Sequence, residues 1–368
     1  MEVRMADLVA QYRSIRDEVD SAIREVLESG HFILGGYVER IEQEIAAYCE
    51  ATYAIGVNSG TDALLLSLKA LGIGKGDEVI TTPFTFVATV EVLCHLGIRP
   101  VFADIAPDTF LLDARAVERS VTPRTRAILP VDLFGQPADR KAFSDIAERY
   151  GLALVYDAAQ AIGARYAGKP LGGFGDAFTL SFFPTKNLGA YGDGGMVLTN
   201  RLDVRDAVQK LRFHGSGGGY EYDAVGYCSR LDAIQAAVLH AKLRRLDAWT
   251  ESRRIHAARY REALTGTRCV LPYTDDCGFH VYHQFTIRHP QRDALRAYLR
   301  ERGIQTGVYY PSPLHLQPAY AHLGYRSGDF PEAERACREV LSLPVHPELT
   351  NAQIDYVCDA IAEFEKCH

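Results

Sequence analysis

The chain has 368 residues, of which 47% are apolar and 24% charged, and its formal net charge is −7. This length and composition are typical of a two-domain globular protein and exclude disordered, fibrous and collagen-like chains. The acidic balance leaves no basic face for a polyphosphate backbone, so neither nucleic acid nor an anionic membrane is expected as a partner.

Cysteine usage and the N-terminal segment predict a cytoplasmic protein. The eight cysteines include no CxxC pair and are too sparse for a disulfide framework, which favours reduced thiols. The N-terminal segment MEVRMADLVAQYRSIRDEV carries charges every few positions and lacks the apolar core of a signal peptide. No run of about 18 apolar residues occurs, so no transmembrane helix is expected.

From residue 56 to residue 200, helical periods alternate with short β-branched runs. This alternation predicts βαβ units around a mostly parallel sheet, and therefore an α/β fold class. The predicted helices are 63–71, 86–96 and 140–150. The predicted strands are 78–82, 100–104, 127–132, 153–157, 178–183 and 196–199.

The pattern changes after residue 230. Residues 231–264 predict one long helical stretch that connects two domains. Beyond it the sequence predicts strands at 282–288 and 305–310 and helices at 292–302 and 352–367. We therefore predict a large domain of residues 1–245, which includes an N-terminal helix, and a small α+β domain of residues 246–368.

Lys186 lies in the segment SFFPTKNLGAYGDGG, where a predicted strand gives way to a loop of small residues. Lysine forms Schiff bases with carbonyl groups, and pyridoxal-phosphate enzymes hold their cofactor in this way. Such enzymes also need an acid beside the pyridine nitrogen, and Asp157 ends an apolar strand at the carboxyl edge of the sheet, where α/β sheets bind ligands. Taken singly, Lys186 could be a solvated surface residue and Asp157 an ordinary helix N-cap.

A phosphate site is predicted where a tight turn leads into the helix at Ala63. Ser59, Gly60 and Thr61 could offer backbone N–H groups to an anion at this helix start. The same residues would also suit an ordinary cap. The loop GIGKGD further on lacks the spacing of a P-loop and the Ser or Thr that follows its lysine.

Together these segments resemble the DegT/DnrJ/EryC1/StrS family of pyridoxal-5′-phosphate (PLP)-dependent sugar aminotransferases, also called nucleotide-sugar aminotransferases. The resemblance covers nearly the whole chain and rests on the blocks VNSGTDALLLSL, GDEVITTPFTFVATVEV, PVFADI, VYDAAQAIGA, LSFFPTKNLGAYGDGGMVLTN, SRLDAIQAAVL, YPSPLHLQPAY and EVLSLPVHP. It implies fold type I, the aspartate aminotransferase-like fold, with a large seven-stranded domain and a small C-terminal domain. It also implies a homodimer whose sites lie at the subunit interface.

The resemblance implies PLP, alternating with pyridoxamine phosphate (PMP), as the cofactor. It assigns the Schiff base to Lys186, the contact with the pyridine nitrogen to Asp157, and a hydrogen bond to the ring hydroxyl to Gln160. Phe86 would stack on the ring, although it would also suit ordinary helix packing. The residues expected at the cofactor phosphate are Gly60, Thr61 and Ser181, with Ser59 as a further candidate.

One position departs from the family pattern. Relatives commonly carry an Asn that reaches the phosphate of the neighbouring subunit, and this chain has Cys228 there. A thiol is a weak donor, so Ser229 or a backbone N–H could replace it. Tyr310 and His315 match a loop that approaches the sugar in relatives, although a histidine between apolar residues is also typical of a packed loop.

The resemblance predicts a transaminase that moves an amino group from L-glutamate to a keto group of a nucleotide-linked keto-deoxysugar, in amino-sugar biosynthesis. The block SRLDAIQAAVL favours a dTDP-3-keto-6-deoxyhexose, while amination at C4 of a UDP-, GDP- or dTDP-linked 4-keto-6-deoxysugar stays open. A non-catalytic PLP-binding regulatory homologue is the second alternative.

Three other enzyme classes are disfavoured. The related sugar 3-dehydratases have a histidine in place of Lys186. No GxGxxG motif follows a strand, which argues against a nicotinamide-dependent oxidoreductase. The close pair His280 and His283 has no third ligand at a recognisable spacing, so we predict no metal site.

Overall fold

The computed structural model describes residues 1–274 and 276–367. Its helices are α1 Leu8–Ser14, α2 Arg16–Ser29, α3 Gly36–Cys49, α4 Gly60–Ala70, α5 Ala88–His95, α6 Ala114–Ser120, α7 Arg140–Tyr150, α8 Leu202–Leu211, α9 Ala233–Leu243, α10 Leu246–Ala263, α11 Arg292–Glu301, α12 Pro331–Glu339 and α13 Asn351–Cys367. Its strands are β1 Tyr53–Val57, β2 Glu78–Thr81, β3 Arg99–Phe102, β4 Thr125–Ile128, β5 Ala153–Asp157, β6 Arg165–Tyr166, β7 Lys169–Pro170, β8 Ala177–Ser181, β9 Gly195–Thr199, β10 Gly278–Phe279, β11 Phe285–Arg288 and β12 Val340–Leu343.

A seven-stranded sheet organises the large part of the chain, with the strand order β1-β9-β8-β5-β4-β2-β3. β9 runs antiparallel to both of its neighbours, and the other pairs in the sheet are parallel. Every residue of β2 and of β9 is buried, as expected for a sheet covered on both faces. The predicted α/β class and mostly parallel sheet are therefore confirmed.

The predicted limits of two elements are the observed ones, and one of the two, β5, leads to the functional region. α7 and β5 have the predicted limits, because the amphipathic period of α7 and the continuous apolar run of β5 match their packing. β5 ends at Asp157 and the parallel strand β8 ends at Ser181. These two side chains therefore lie at the same edge of the sheet.

Two predictions of secondary structure in the C-terminal part are wrong. The single helical stretch 231–264 is divided into α9 and α10 at Arg244 and Arg245, although no Gly or Pro marks the break. Residues 305–310 do not form a strand, because only Gly307 pairs, through an isolated bridge to Ser342. The partner of β11 is β12 instead.

The hydrophobic residues form separate cores around the large sheet and around β11 and β12. The second core combines residues of α10, α11 and α13 with those two strands, and it also includes Val3 from the N-terminal segment. The predicted boundary after residue 245 falls between α9 and α10 and stays a prediction. None of the described helices combines the length and apolar character needed to cross a lipid bilayer.

Candidate active site

A cavity of about 590 Å³ opens at the carboxyl edge of the large sheet. This volume is within the range of about 300 to 1,000 Å³ that is usual for small-molecule sites. Nine residues singled out from the sequence line it together: Ser59, Gly60, Thr61, Phe86, Asp157, Gln160, Ser181, Lys186 and Tyr310. These residues lie between positions 59 and 310 of the sequence, and the fold brings them together around one cavity.

Lys186 lies in the loop that follows β8. Its backbone N–H donates a hydrogen bond to the Phe183 carbonyl at 2.8 Å, which closes a turn. The side chain lines the cavity, and protein atoms surround its amine. This desolvation lowers the pKa of the Lys186 amine from the ordinary lysine value to about 8, although the charge of Asp157 acts in the opposite direction. An amine with this pKa is mostly charged at pH 7, with about a tenth uncharged, and it loses its proton far more readily than an ordinary lysine.

Asp157 is buried at the end of β5, with 6% of its surface exposed. Its carboxylate accepts hydrogen bonds from the Thr89 hydroxyl at 2.7 Å and from the Ala159 backbone N–H at 3.2 Å. Burial raises the pKa of this carboxyl, while these two hydrogen bonds and the Lys186 charge oppose the rise. A buried carboxylate of this kind would be stabilised by a cationic group placed beside it.

Thr89 was not singled out from the sequence. Its single hydroxyl proton goes to Asp157, so the 2.9 Å contact with Thr85 has the Thr85 hydroxyl as donor. Both threonines stand in the block that contains Phe86, one helical turn apart. The four-residue spacing of these threonines was visible in the sequence. No local pattern, however, links Thr89 to Asp157, which lies 68 residues further on.

The start of α4 has the features of an anion site. The Ser59 hydroxyl caps the helix by accepting the Asp62 N–H at 3.1 Å, while no protein acceptor is found, in the described part of the chain, for the N–H groups of Gly60 and Thr61. Ser181 closes the other side of this turn. A Cβ on Gly60 would lie 2.7 Å from the Ser181 Cβ, so only glycine fits between them.

Gln160 and two aromatic residues form the wall opposite. The Gln160 side-chain oxygen accepts the Phe134 N–H at 2.6 Å and its amide nitrogen donates to the Tyr310 hydroxyl at 3.4 Å. One amide hydrogen of Gln160 is left for a ligand. Phe86 has 54% of its surface exposed and lies 6.3 Å, between ring centroids, from Tyr310.

His283 also lines the cavity, although the sequence pattern placed it in a predicted strand and gave it no role in this site. The strand β11 begins only at Phe285, so His283 stands in the connection before it. The imidazole contacts Asn187, the residue after Lys186. Burial lowers the pKa of His283 well below its usual value, and the Lys186 charge contributes.

His315 and Cys228 are not brought to this cavity. His315 was expected to approach the sugar, but it is only 1% exposed, and its Nε2 atom lies 3.2 Å from the Glu334 carboxylate. A short 3₁₀ turn, anchored by the Leu314 N–H on the Pro83 carbonyl, directs the imidazole into the core against Phe330. His315 therefore does not line the cavity of its own chain, and its approach to the sugar stays a prediction.

Cys228 is exposed and accepts a hydrogen bond from the Arg230 guanidinium, 3.0 Å from its sulfur. It does not line the cavity of its own chain, so only a neighbouring subunit could bring it to a cofactor phosphate. That contact stays a prediction.

The lining residues fit PLP. The unused N–H pair at α4 beside Ser181 suits its phosphate, and the buried Asp157 suits a protonated pyridine ring. The exposed face of Phe86 suits an aromatic ring, and the Lys186 amine suits an aldehyde. No group of His, Cys, Asp and Glu that could hold a metal ion occurs within residues 1–274 and 276–367.

The chain is similar to known proteins over nearly its whole length. The model of the DegT/DnrJ/EryC1/StrS aminotransferase family matches residues 13–362. The chain is 52% identical over 367 residues to the "Pleiotropic regulatory protein" of Geobacillus stearothermophilus, with 99% of each chain covered. It is 46% identical over 363 residues to the dTDP-3-amino-3,4,6-trideoxy-alpha-D-glucose transaminase of Streptomyces venezuelae, with 98% of this chain and 96% of the relative covered.

Among solved structures, DesV from S. venezuelae in complex with a ketimine intermediate superposes with a TM-score of 0.98 at 45% identity, and 99% of each chain is covered. Other solved structures of similar chains are described as holding the cofactor in its PLP or PMP form.

Proposed function

Because the chain belongs to the DegT/DnrJ/EryC1/StrS aminotransferase family and is a PLP-dependent transaminase, we propose that it moves an amino group from L-glutamate to a keto group of a nucleotide-linked keto-deoxysugar. The observation that carries the proposal is the pairing of a desolvated lysine amine, Lys186, with a buried carboxylate, Asp157, in one cavity.

The cofactor, when bound, supplies an aldehyde that takes up the amino group and a ring that withdraws electrons from the substrate carbon. We assign the covalent attachment to Lys186. With the cofactor bound, the Lys186 amine would move a proton between the donor's α-carbon and the cofactor's C4′ atom, and a pKa of about 8 suits both acceptance and release. The same amine serves the reverse sequence on the sugar.

The other roles follow from the contacts around the cavity. Asp157 holds a proton on the pyridine nitrogen, and Thr89 orients the carboxylate for this contact. Gly60, Thr61 and Ser181 bind the phosphate, and Gln160 donates its remaining amide hydrogen to the ring hydroxyl. Phe86 covers one face of the ring.

For the sugar we propose a dTDP-3-keto-6-deoxyhexose. The support is the name of the S. venezuelae relative, which describes a 3-amino sugar linked to dTDP, together with the SRLDAIQAAVL block. The glutamate donor rests on the family resemblance. Amination at C4 of a nucleotide-linked 4-keto-6-deoxysugar is the first alternative.

We further propose that the chain works as a homodimer with sites at the subunit interface. Large apolar side chains are exposed at Phe32, Ile33, Tyr220 and Val225, and such residues are typical of a surface that another subunit covers. Phe86 and Phe183, on the rim of the cavity, are more than half exposed. Sedimentation equilibrium of the purified chain measures the assembly directly.

The function is tested in two steps. First, the protein is saturated with PLP, its visible absorbance is recorded before and after addition of L-glutamate, and a borohydride-treated sample is digested to map the modified peptide. We expect a band that glutamate converts to the PMP spectrum and a reduced adduct on Lys186. Lys186→Ala should lose both, and the exposed Lys75→Ala should lose neither.

Second, the proposed reaction is run in reverse, with stable amino sugars as the amino donors. The enzyme, PLP and 2-oxoglutarate are incubated with a dTDP-3-amino-6-deoxyhexose or with its 4-amino isomer, and glutamate is quantified. Glutamate from the 3-amino sugar alone supports the proposed substrate, whereas glutamate from the 4-amino isomer alone moves the assignment to C4.

The regulatory alternative has its own support in the name of the G. stearothermophilus relative. A protein that shows neither a visible band nor an adduct on Lys186 under saturating PLP would contradict the transaminase assignment for this site, and the regulatory role would then take its place.

A further inference from the structure

Asn187 follows the cofactor-binding lysine directly, and its side chain is buried, with 4% exposed. Its amide nitrogen donates to the Val281 carbonyl at 3.2 Å, and its amide oxygen lies 3.2 Å from the Nδ1 atom of His283. Since the Asn187 amide nitrogen already donates to a carbonyl, the Asn187 amide oxygen must be the acceptor in the contact with His283. The contact therefore has His283 Nδ1–H as donor and defines the tautomer of the imidazole.

The imidazole is neutral at physiological pH. Burial lowers the pKa of His283 well below its usual value, and the positive charges of Lys186 and Arg253 and the neighbouring His280 act in the same direction. A neutral ring with its proton on Nδ1 leaves Nε2 as an acceptor on the cavity wall. A second positive charge beside the Lys186 amine is thereby avoided.

The backbone around His283 is held from two sides. Arg253, on α10, donates to the carbonyls of Tyr282 at 3.2 Å and of His283 at 3.5 Å. On the other side, the Val281 N–H donates to the Gly135 carbonyl at 3.0 Å. A Cβ on Gly135 would lie 2.8 Å from a Val281 methyl group and 2.9 Å from the His283 nitrogen, so this glycine permits the close approach.

The loop that carries the lysine is therefore fastened to a segment almost 100 residues further along the chain. We propose that His283 is a positioning residue: through Nδ1–H it fixes the Asn187 amide, and through Asn187 it holds Lys186 in the geometry needed for proton transfer. The proposal rests on the assignment of the cofactor attachment to Lys186. It gives a role to a cavity residue that the contacts with PLP leave unexplained.

Misplacement of a reacting group by about 1 Å can lower a rate by as much as about a hundredfold. A positioning role therefore predicts a loss in kcat, while the KM for glutamate stays nearly constant, because the binding groups are not displaced. A residue that binds the donor directly would instead raise KM.

Three substitutions of His283 distinguish the roles of its two ring nitrogens. His283→Asn keeps an N–H close to the place of Nδ1, His283→Gln keeps a polar group close to the place of Nε2, and His283→Phe keeps the ring volume without either nitrogen. His95→Asn, at an exposed position on α5, is the matched control. Thermal unfolding of each variant with PLP shows whether it is folded.

Two measurements are made on the PLP-loaded protein: the kcat and KM of the glutamate half-reaction, and the pH midpoint of the visible absorbance band. We expect His283→Phe and His283→Gln to lose about tenfold or more in kcat, with KM within about twofold, and to displace the pH midpoint by about half a unit or more. His283→Asn should keep the wild-type midpoint and most of the rate.

A His283→Gln protein with wild-type kcat and midpoint, or a His283→Asn protein as impaired as His283→Gln, would overturn the proposal, and this comparison stands even if His283→Phe does not fold. A rise in KM without loss of kcat would also overturn it, because His283 would then bind the donor directly. Failure of the proposed function gives a different result, namely a wild-type protein that has no visible band and no adduct on Lys186.

Discussion

The cost of burying the Lys186 amine predicts a pH-dependent stability difference between the PLP-free wild-type protein and its Lys186→Met variant. The pKa of this amine is about 8 in the folded chain, against an ordinary value of 10.5. Methionine has a similar volume and no charge. The substitution therefore removes the cost of desolvating the ammonium group and leaves the packing nearly unchanged.

The sign follows from proton binding. Below pH 8 the amine is charged in both the folded and the unfolded chain, so the full free energy of desolvating the ammonium group lowers the stability of the folded protein. Between pH 8 and 10.5 the folded protein has released the proton while the unfolded chain still holds it, so the stability of the wild type rises with pH in this window. At about 1.36 kcal/mol per pKa unit, the cost is about 3 kcal/mol at pH 7 and about 1 kcal/mol at pH 10.

The assay is urea unfolding of both proteins without PLP, at one protein concentration, at pH 7 and at pH 10. We expect Lys186→Met to be more stable by about 3 kcal/mol at pH 7, with the difference shrinking to about 1 kcal/mol at pH 10. Lys169→Met, at an exposed position, serves as the control for the swap itself. A difference for Lys186→Met that is the same at both pH values would refute the argument, since packing alone carries no pH dependence.

Three further substitutions test the cavity. Thr89→Val removes the 2.7 Å hydrogen bond to Asp157, and a hydrogen bond to a charged group contributes about 1.5 to 3 kcal/mol. The glutamate half-reaction, measured by stopped flow, should therefore slow about ten- to hundredfold. An unchanged rate would show that Asp157 needs no orientation by Thr89. Asp157→Asn leaves a buried pyridine ring without its counter-charge and should cost about a hundredfold or more in the same assay, while borohydride still yields the Lys186 adduct. Gly60→Ala places a Cβ 2.7 Å from the Ser181 Cβ, so equilibrium dialysis should show PLP affinity about tenfold lower or worse, and wild-type affinity would exclude this turn as the phosphate site.

Much of the fold could be predicted because its pattern is local. The apolar run that ends in Asp157 and the amphipathic period of α7 can be recognised within a dozen residues, and in both cases the observed limits are the predicted ones. The strand predicted at 305–310 and the single helix predicted at 231–264 were wrong for the opposite reason. β11 pairs with β12, which is distant in the chain, and α9 and α10 pack against different distant helices, α9 against α2 and α3 and α10 against α13.

For the site, the sequence by itself determined which side chains can carry the chemistry. A lysine after one strand, an acid at the end of another and a glycine at a helix start were recognisable, because strand ends and helix starts in an α/β fold meet at one edge. The structure brings Lys186, Asp157 and Gly60 to one cavity, as that rule predicts.

Only the tertiary structure decided which residues support them. Thr89 reaches Asp157 across 68 residues and His283 reaches Asn187 across 96, so no local pattern could show either contact. It also decided that His315 turns into the core, where Glu334 and the surrounding rings cover it. The physical reason is the same in each case: burial and hydrogen bonding depend on the neighbours that folding supplies, whereas the sequence pattern records only the preferences of the chain itself.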